Sequence, residues 1–142
     1  MDGNVSAVVG DNCMTIFKGD EDVREVATIV FDNKVQCIGH NEKYIAVVMS
    51  NSGQPGYELR MYNQSGKLVT SEVFTGEYRN VKIEGNQVIM YDGKECAIFL
   101  KNGVQKFDGE MHNSILEIIA SAGVNNYIVM NANGMESVRL VK

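Results

Sequence analysis

Short runs in which apolar and polar residues alternate fill most of this chain. In "NVKIEG" (80–85) Val81 and Ile83 alternate with Lys82 and Glu84, and in "YELRMYN" (57–63) Tyr57, Leu59 and Met61 alternate with Glu58 and Arg60. Alternation with period two gives each run one face to bury and one to wet, as in a half-buried strand. Other runs, "YIAVV" from Tyr44 and "VIM" from Val88, are uniformly apolar and suit strands covered on both faces. Gly- and Asn-bearing breaks separate the runs, and "NG" at Asn102 and at Asn133 predicts hairpin turns. "NSILEIIASAGV" (113–124) places Leu116, Ile119 and Ala120 at helical spacing. Its β-branched Ile115, Ile118 and Ile119, and its place before "NYIVMNA", predict a strand instead.

The runs recur in order. "VSAVVGDN" (5–12) aligns without a gap on "YIAVVMSN" (44–51), sharing Ala-Val-Val and the closing Asn; the offset, about 39 residues, is in the range of propeller blades. "QVIMYDG" from Gln87 and "NYIVMNANG" from Asn126 continue the series, and "LKNGVQKFDG" (100–109) doubles "YNQSGKLVTS" (62–71). The predicted fold is therefore all-β, a β-propeller-type array of four-stranded antiparallel blades in one domain, with repeats at about 1–34, 35–79, 80–112 and 113–142. With strands lettered A to D, 35–40, 44–50, 57–63 and 68–74 form one complete blade, and 80–85, 87–92, 96–102 and 104–109 the next. The N-terminal repeat supplies B, C and D without an A. The C-terminal repeat supplies A, B and C without a D. About three and a half blades make an incomplete ring, since closed propellers have about 4 to 8. Two arrangements would complete it: a larger parent propeller, or a homodimer of two chains bringing about seven blades together.

Composition narrows the function classes. The 142 residues are 44% hydrophobic and 22% charged with a single Pro, which is ordinary globular composition. A net charge of -5 without a basic run excludes a phosphate-backbone partner, so no nucleic acid is expected. No apolar stretch approaches the length of a membrane span, and the N-terminus lacks a basic region followed by an apolar core. Cys13, Cys37 and Cys96 fit neither a CxxC site nor an even disulfide framework and read as free buried thiols. The sequons at Asn4 and Asn63 matter only in a secreted eukaryotic chain.

The stretch "FLKNGVQKFDGEMHNSILEIIASAGVNNYIVMNANGMESVRLVK" (99–142) carries a G-x-x-K-F strand, a linker, an Ile-rich strand, a Y-x-V/I strand and a final R-L strand. It resembles the C-terminal part of an uncharacterised bacterial family of membrane-anchored β-propeller proteins, and the likeness covers most of the chain. More broadly, the blades are similar to quinoprotein-like and WD-repeat-like propellers, although the absence of Trp removes any WD or docking motif. The resemblance implies an extracytoplasmic domain of an anchored bacterial protein and no known activity.

Catalytic and cofactor motifs are missing. His40 and His112 are the only histidines, too few for a multi-His metal site. "KGDEDVRE" (18–25) has three consecutive acids, Asp20, Glu21 and Asp22, without calcium-loop spacing, and no glycine cluster has phosphate-loop spacing. No cofactor and no metal are expected. In an antiparallel meander the B–C and D–A loops emerge on one face of the ring. That face would present 50–56, 76–79, 92–95 and 109–113, with Tyr78, Arg79, Glu110 and His112 as the residues a protein or glycan ligand would touch. A non-catalytic binding or scaffolding module is the expected role. The alternatives are a glycan-active enzyme using Glu77, Asp92 or Glu110 as acid or base, and a half-propeller whose role is oligomerisation.

Overall fold

The computed structural model describes residues 5–51 and 55–141. Among them are fourteen strands in four antiparallel sheets that follow one another along the chain. The first sheet is β1 (Val5–Val9), β2 (Cys13–Lys18) and β3 (Arg24–Val30). The second is β4 (Val35–His40), β5 (Tyr44–Ser50), β6 (Tyr57–Asn63) and β7 (Leu68–Phe74). The third is β8 (Asn80–Glu84), β9 (Gln87–Asp92), β10 (Glu95–Leu100) and β11 (Gln105–Glu110). The fourth is β12 (Glu117–Ala120), β13 (Asn126–Asn131) and β14 (Gly134–Arg139). Each sheet is a plain meander, so the four are propeller blades, and among the described residues the first has no A strand and the last no D strand. The segment 113–124 forms a strand as its β-branched residues predict, although only Glu117–Ala120 is paired.

Three apolar clusters lie between successive blades, and side-chain alternation makes them. On β5, Ile45, Val47 and Met49 join Met14, Ile16 and Phe31 of the first blade, while Ala46 and Val48 face the third blade's Val88, Met90 and Ala97. Ile89, Tyr91, Cys96 and Ile98 then meet Ile118, Tyr127 and Val129 of the fourth. The strands β5 and β9 are therefore buried on both sides, as their unbroken apolar runs predict, and so are much of β6 and β10. Each fully buried aliphatic side chain contributes about 1.5–3 kcal/mol relative to exposure, so the three seams hold the stack together.

The A strands of neighbouring blades converge. β4 and β8 pack side by side, and a Cβ built on Gly39 would lie 2.5 Å from the Val81 carbonyl oxygen. Only a residue without a side chain permits that approach. The D strands stand on the outside, as in a propeller whose A strands surround the axis.

Two further details repeat from blade to blade. The C–D pairing carries a register shift at Ile16/Phe17, Met61/Tyr62 and Ile98/Phe99, always between an apolar residue and an aromatic one. Such bulges add local twist. The D–A connection is also tied to the B–C turn of its own blade: Phe31 and Val35 N–H donate to Asn12 and Asp11 carbonyls, and Met111 and Ile115 N–H donate to Lys94 and Gly93 carbonyls, each at 2.7 Å. These bonds hold the B–C and D–A loops together on one face of the stack.

Candidate functional site

A cavity of about 570 Å³ forms an open groove on that face between the second and third blades. One wall is the end of β7 and the connection to β8, with Val73, Phe74, Thr75, Gly76 and Tyr78; the other is the start of β10 and β11 itself, with Glu95, Asp108 and Glu110. Antiparallel register builds the acidic wall. Glu95 stands directly opposite Glu110, and Ala97 opposite Asp108, so all three carboxylates share the sheet face that carries Ala97 into the core.

Tyr78 builds the opposite wall. Its ring packs on Phe74, with centroids 5.9 Å apart, and only 9% of the residue is exposed. A Cβ on Gly76 would meet the Tyr78 ring and hydroxyl at 2.6–2.7 Å, so the glycine makes room for this ring. Tyr78 lines the groove, with its hydroxyl beside Gly76. Burial pushes its pKa up to about 12, with the negative charges of Asp108 and Glu95 adding to the effect. Among the described residues no Lys or Arg pairs with Glu95, Asp108 or Glu110.

The structure thus brings together two of the four residues expected to touch a ligand, Tyr78 and Glu110. Arg79 turns away: it is exposed, its Nε lies 3.1 Å from Asp92 Oδ2, and it borders a smaller cavity of about 110 Å³ with Cys37, Tyr57 and Glu77. His112 is exposed in the β11–β12 connection and lines neither cavity. Of the three carboxylates considered for acid–base work, Glu110 lines the groove, Glu77 the smaller cavity, and Asp92 is engaged by Arg79. Within the expected loop 50–56, residues 52–54 lie outside the described residues, as does Asn4. Asp20, Glu21 and Asp22 form an exposed turn, and no group of His, Cys, Asp and Glu among the described residues could hold a metal ion. Glu95 and Asp108 are the site residues that sequence reasoning missed.

Elsewhere, the thiols of Cys37 and Cys96 are held protonated. Burial pushes Cys37 up to about 11, and its Sγ donates to the Tyr78 carbonyl at 3.4 Å. Burial, then the charge of Asp108, pushes Cys96 up to about 12. Lys106 lies buried with its ammonium donating to Tyr127 Oη at 2.7 Å and to the Val124 carbonyl at 2.5 Å, and burial lowers its pKa.

A family profile described as a family of unknown function, DUF5711, matches residues 1–140. The chain belongs to that family. No curated protein matches this DUF5711 chain. Solved structures do, and they are WD40-type propellers in fold. Sqt1 of Saccharomyces cerevisiae superposes with a TM-score of 0.65 at 13% identity, covering 99% of this chain and 42% of that one. The WD40 β-propeller domain of Doa1 gives 0.64 at 11% identity over 99% and 50%, and HIRA (644–1017) gives 0.63 at 10% over 94% and 45%. At these identities the likeness shows the fold alone. The DUF5711 chain spans about half the length of each of these propellers.

Proposed function

We propose that this chain is a non-catalytic binding or scaffolding module, and that the groove between its second and third blades receives the ligand. The observation that carries the reading is the open groove of about 570 Å³, in which the well-buried Tyr78 side chain and the carboxylates of Glu95, Asp108 and Glu110 converge. A concave site where an aromatic ring and a few polar groups converge is the usual form of a ligand-binding groove. The test is an amide NMR screen of the ¹⁵N-labelled chain with a fragment library mixed in charge. Perturbations that cluster at Gly76, Tyr78, Glu95 and Glu110, and weaken in Tyr78→Phe, support the reading; perturbations scattered over the surface, or none, overturn it.

The flanks of the stack favour a second, compatible reading, in which the chain also associates with itself. Val8 occupies the repeat position of Val47, yet Val8 is 63% exposed where Val47 is fully buried. At the other end Met135, opposite Met130, occupies the position that Cys96 holds opposite Tyr91, and it is 72% exposed where Cys96 is fully buried. The first blade thus presents the face that normally meets a preceding blade, and the last presents the face that normally meets a following one. A second copy supplies both faces, head to tail, with Arg139 and Glu25 at the same rim to pair across the joint. Light scattering over a concentration series tests it. A dimer that Val8→Glu dissociates supports association, and a monomer at every concentration overturns it.

The likeness of residues 99–142 to membrane-anchored bacterial propellers supports an extracytoplasmic location on a bacterial parent protein. No helix among the described residues is long and apolar enough to cross a membrane, so an anchor would lie elsewhere in that parent. Protease accessibility of the natural full-length protein in intact cells tests this: a groove-bearing domain shielded by the membrane overturns it.

A further inference from the structure

The first blade stops at β1, and the inner edge of that strand is open: among the described residues β1 pairs only with β2. Gly10 N–H donates to the Cys13 carbonyl at 2.8 Å, and the β1–β2 register continues from that pair. Alternation then turns the N–H and C=O groups of Val5, Ala7 and Val9 away from β2, toward the open side. Their repeat equivalents, Tyr44, Ala46 and Val48, give the same groups to β4. The Tyr44 carbonyl accepts from Asn41 N–H at 3.0 Å, and Ala46 and Val48 stand opposite Gly39 and Cys37. Where the first blade would carry its own such strand there is a cavity of about 360 Å³, between Val5, Ala7 and Val9 of β1 and Ile38, His40 and Ile45 of the second blade. Exposure in the second blade marks the same gap. Ile38 pairs with Val47 as Val81 pairs with Met90, and His40 pairs with Ile45 as Ile83 pairs with Val88. Ile83 is 6% exposed in its seam, whereas His40 is exposed and Ile38 is 41% exposed.

We propose that the open edge of β1 receives an extended segment of another polypeptide, which adds to the first blade as an antiparallel A strand and fills this cavity. Backbone hydrogen bonds to Val5, Ala7 and Val9 supply the affinity of such strand addition, and alternate side chains supply its specificity. The segment is uncharged where it faces the second blade, because no Asp, Glu, Lys or Arg lines the cavity. It carries small side chains opposite Ala7 and Val9, as the second blade does with Gly39 and Cys37 opposite Ala46 and Val48. The reason is the close approach of neighbouring A strands, which leaves a Cβ on Gly39 only 2.5 Å from the Val81 carbonyl oxygen. Opposite the exposed Val8 it carries an aliphatic residue, as Ile38 stands opposite Val47. A second copy of this chain is not the source. Its A strands β4, β8 and β12 are each paired with the B strand of their own blade, so the described residues hold no spare one. Head-to-tail association of copies through Val8 leaves the edge open, and the two associations do not compete.

The test is an amide NMR titration of the ¹⁵N-labelled chain with acetyl-Ser-Gln-Ala-Ile-Gly-Thr-Ser-amide, whose Ala and Gly fall opposite Val9 and Ala7. Two methylated forms separate pairing from simple apolar contact. N-methylation of Ala and Gly removes the donors aimed at β1, whereas N-methylation of Ile and Thr changes only the edge that faces away. The parent peptide is expected to shift Val5, Ala7, Val9 and Ile38 saturably at concentrations up to about 1 mM. The first methylated form should bind roughly tenfold or more weakly, as loss of two backbone hydrogen bonds implies, and the second within about twofold of the parent. A peptide with Leu in place of Ala and Gly should also lose roughly tenfold, by crowding against β4. No saturable shift at the edge up to about 1 mM, or equal binding of the two methylated forms, overturns strand addition. Equal binding of the Leu peptide overturns the small-side-chain assignment. Shifts of the same amides on concentrating the chain alone assign the edge to a second copy and overturn the separate polypeptide. The residues read here are not those of the groove at Gly76 and Tyr78, so failure at this edge leaves the groove to its own test.

Discussion

Replacing Gly39 with Ala tests the claim that the A strands crowd at the axis. The new Cβ would lie 2.5 Å from the Val81 carbonyl oxygen, 2.8 Å from its carbon and 3.0 Å from Val81 Cγ1. Two of these atoms are backbone, so no rotamer change relieves the clash. Reaching an ordinary contact of 3.4 Å requires β4 and β8 to part by about 0.9 Å, the difference between 3.4 and 2.5. Overpacking of this kind costs about 1–3 kcal/mol. Alanine recovers roughly 0.4–1 kcal/mol by restricting the unfolded chain, so a net loss of about 1–2 kcal/mol is expected. For a chain of this size that is a fall in Tm of roughly 3–8 °C. Urea unfolding followed by circular dichroism measures it, with Gly10→Ala as the control. Gly10 is outside the positive-φ set, and its Cβ would meet nothing nearer than Cys13 Sγ at 3.4 Å, so the control should lose little or gain slightly. If Gly39→Ala unfolds within about 0.5 kcal/mol of the wild type, the inner strands are not in contact as described, and the propeller-like convergence of blades two and three is wrong.

Two further outcomes follow from buried titratable groups. Cys37 and Cys96, raised to about 11 and about 12, should resist iodoacetamide in the native chain at about pH 8 and become labelled on unfolding; mass spectrometry showing Cys96 alkylated as fast in the native as in the denatured chain contradicts its burial. For Lys106, burial lowers the folded-state pKa below the ordinary 10.5, so the unfolded chain binds the proton more tightly. The penalty is complete below the folded value and disappears as pH rises toward 10.5, so this residue makes stability increase with pH across that window. Lys106→Met removes the titration. The stability of the wild type relative to that variant should climb as pH rises toward 10.5, and a flat difference refutes the assignment.

Strand positions and blade order were legible because alternation and turn residues act locally. Val81 and Ile83 against Lys82 and Glu84 define a strand face wherever that strand is placed, and the Ala-Val-Val match between 7–9 and 46–48 reveals the repeat without any contact information. The "NG" turns were legible in place but not in type. Gly103 and Gly134 take positive φ and no non-glycine residue among the described residues does, so these are not the turns that need positive φ at both central residues. The bulges at Ile16/Phe17, Met61/Tyr62 and Ile98/Phe99 had a signal, an apolar–aromatic pair at one repeat position, but its meaning depends on the partner strand.

The site was half legible for the same reason. Tyr78 and Glu110 belong to loops that a meander sends to one face, so topology alone pointed to them. Glu95 ends the loop 92–95 without being singled out and Asp108 sits inside a strand run, and only the β10–β11 register sets Glu95 against Glu110 and turns Asp108 the same way. Arg79 follows Tyr78 directly, so the two side chains point apart and Asp92 captures Arg79, while His112 lies beyond the end of β11 and is exposed in the connection to β12. By itself, then, the sequence determined the strands, their order and the incompleteness of the two end blades, all consequences of near-neighbour chemistry. Tertiary structure decided which faces are covered, since Val8 and Val47 are the same residue at the same repeat position and differ only in having a neighbouring blade. It also decided which charges meet, because that depends on pairing between residues distant in the chain.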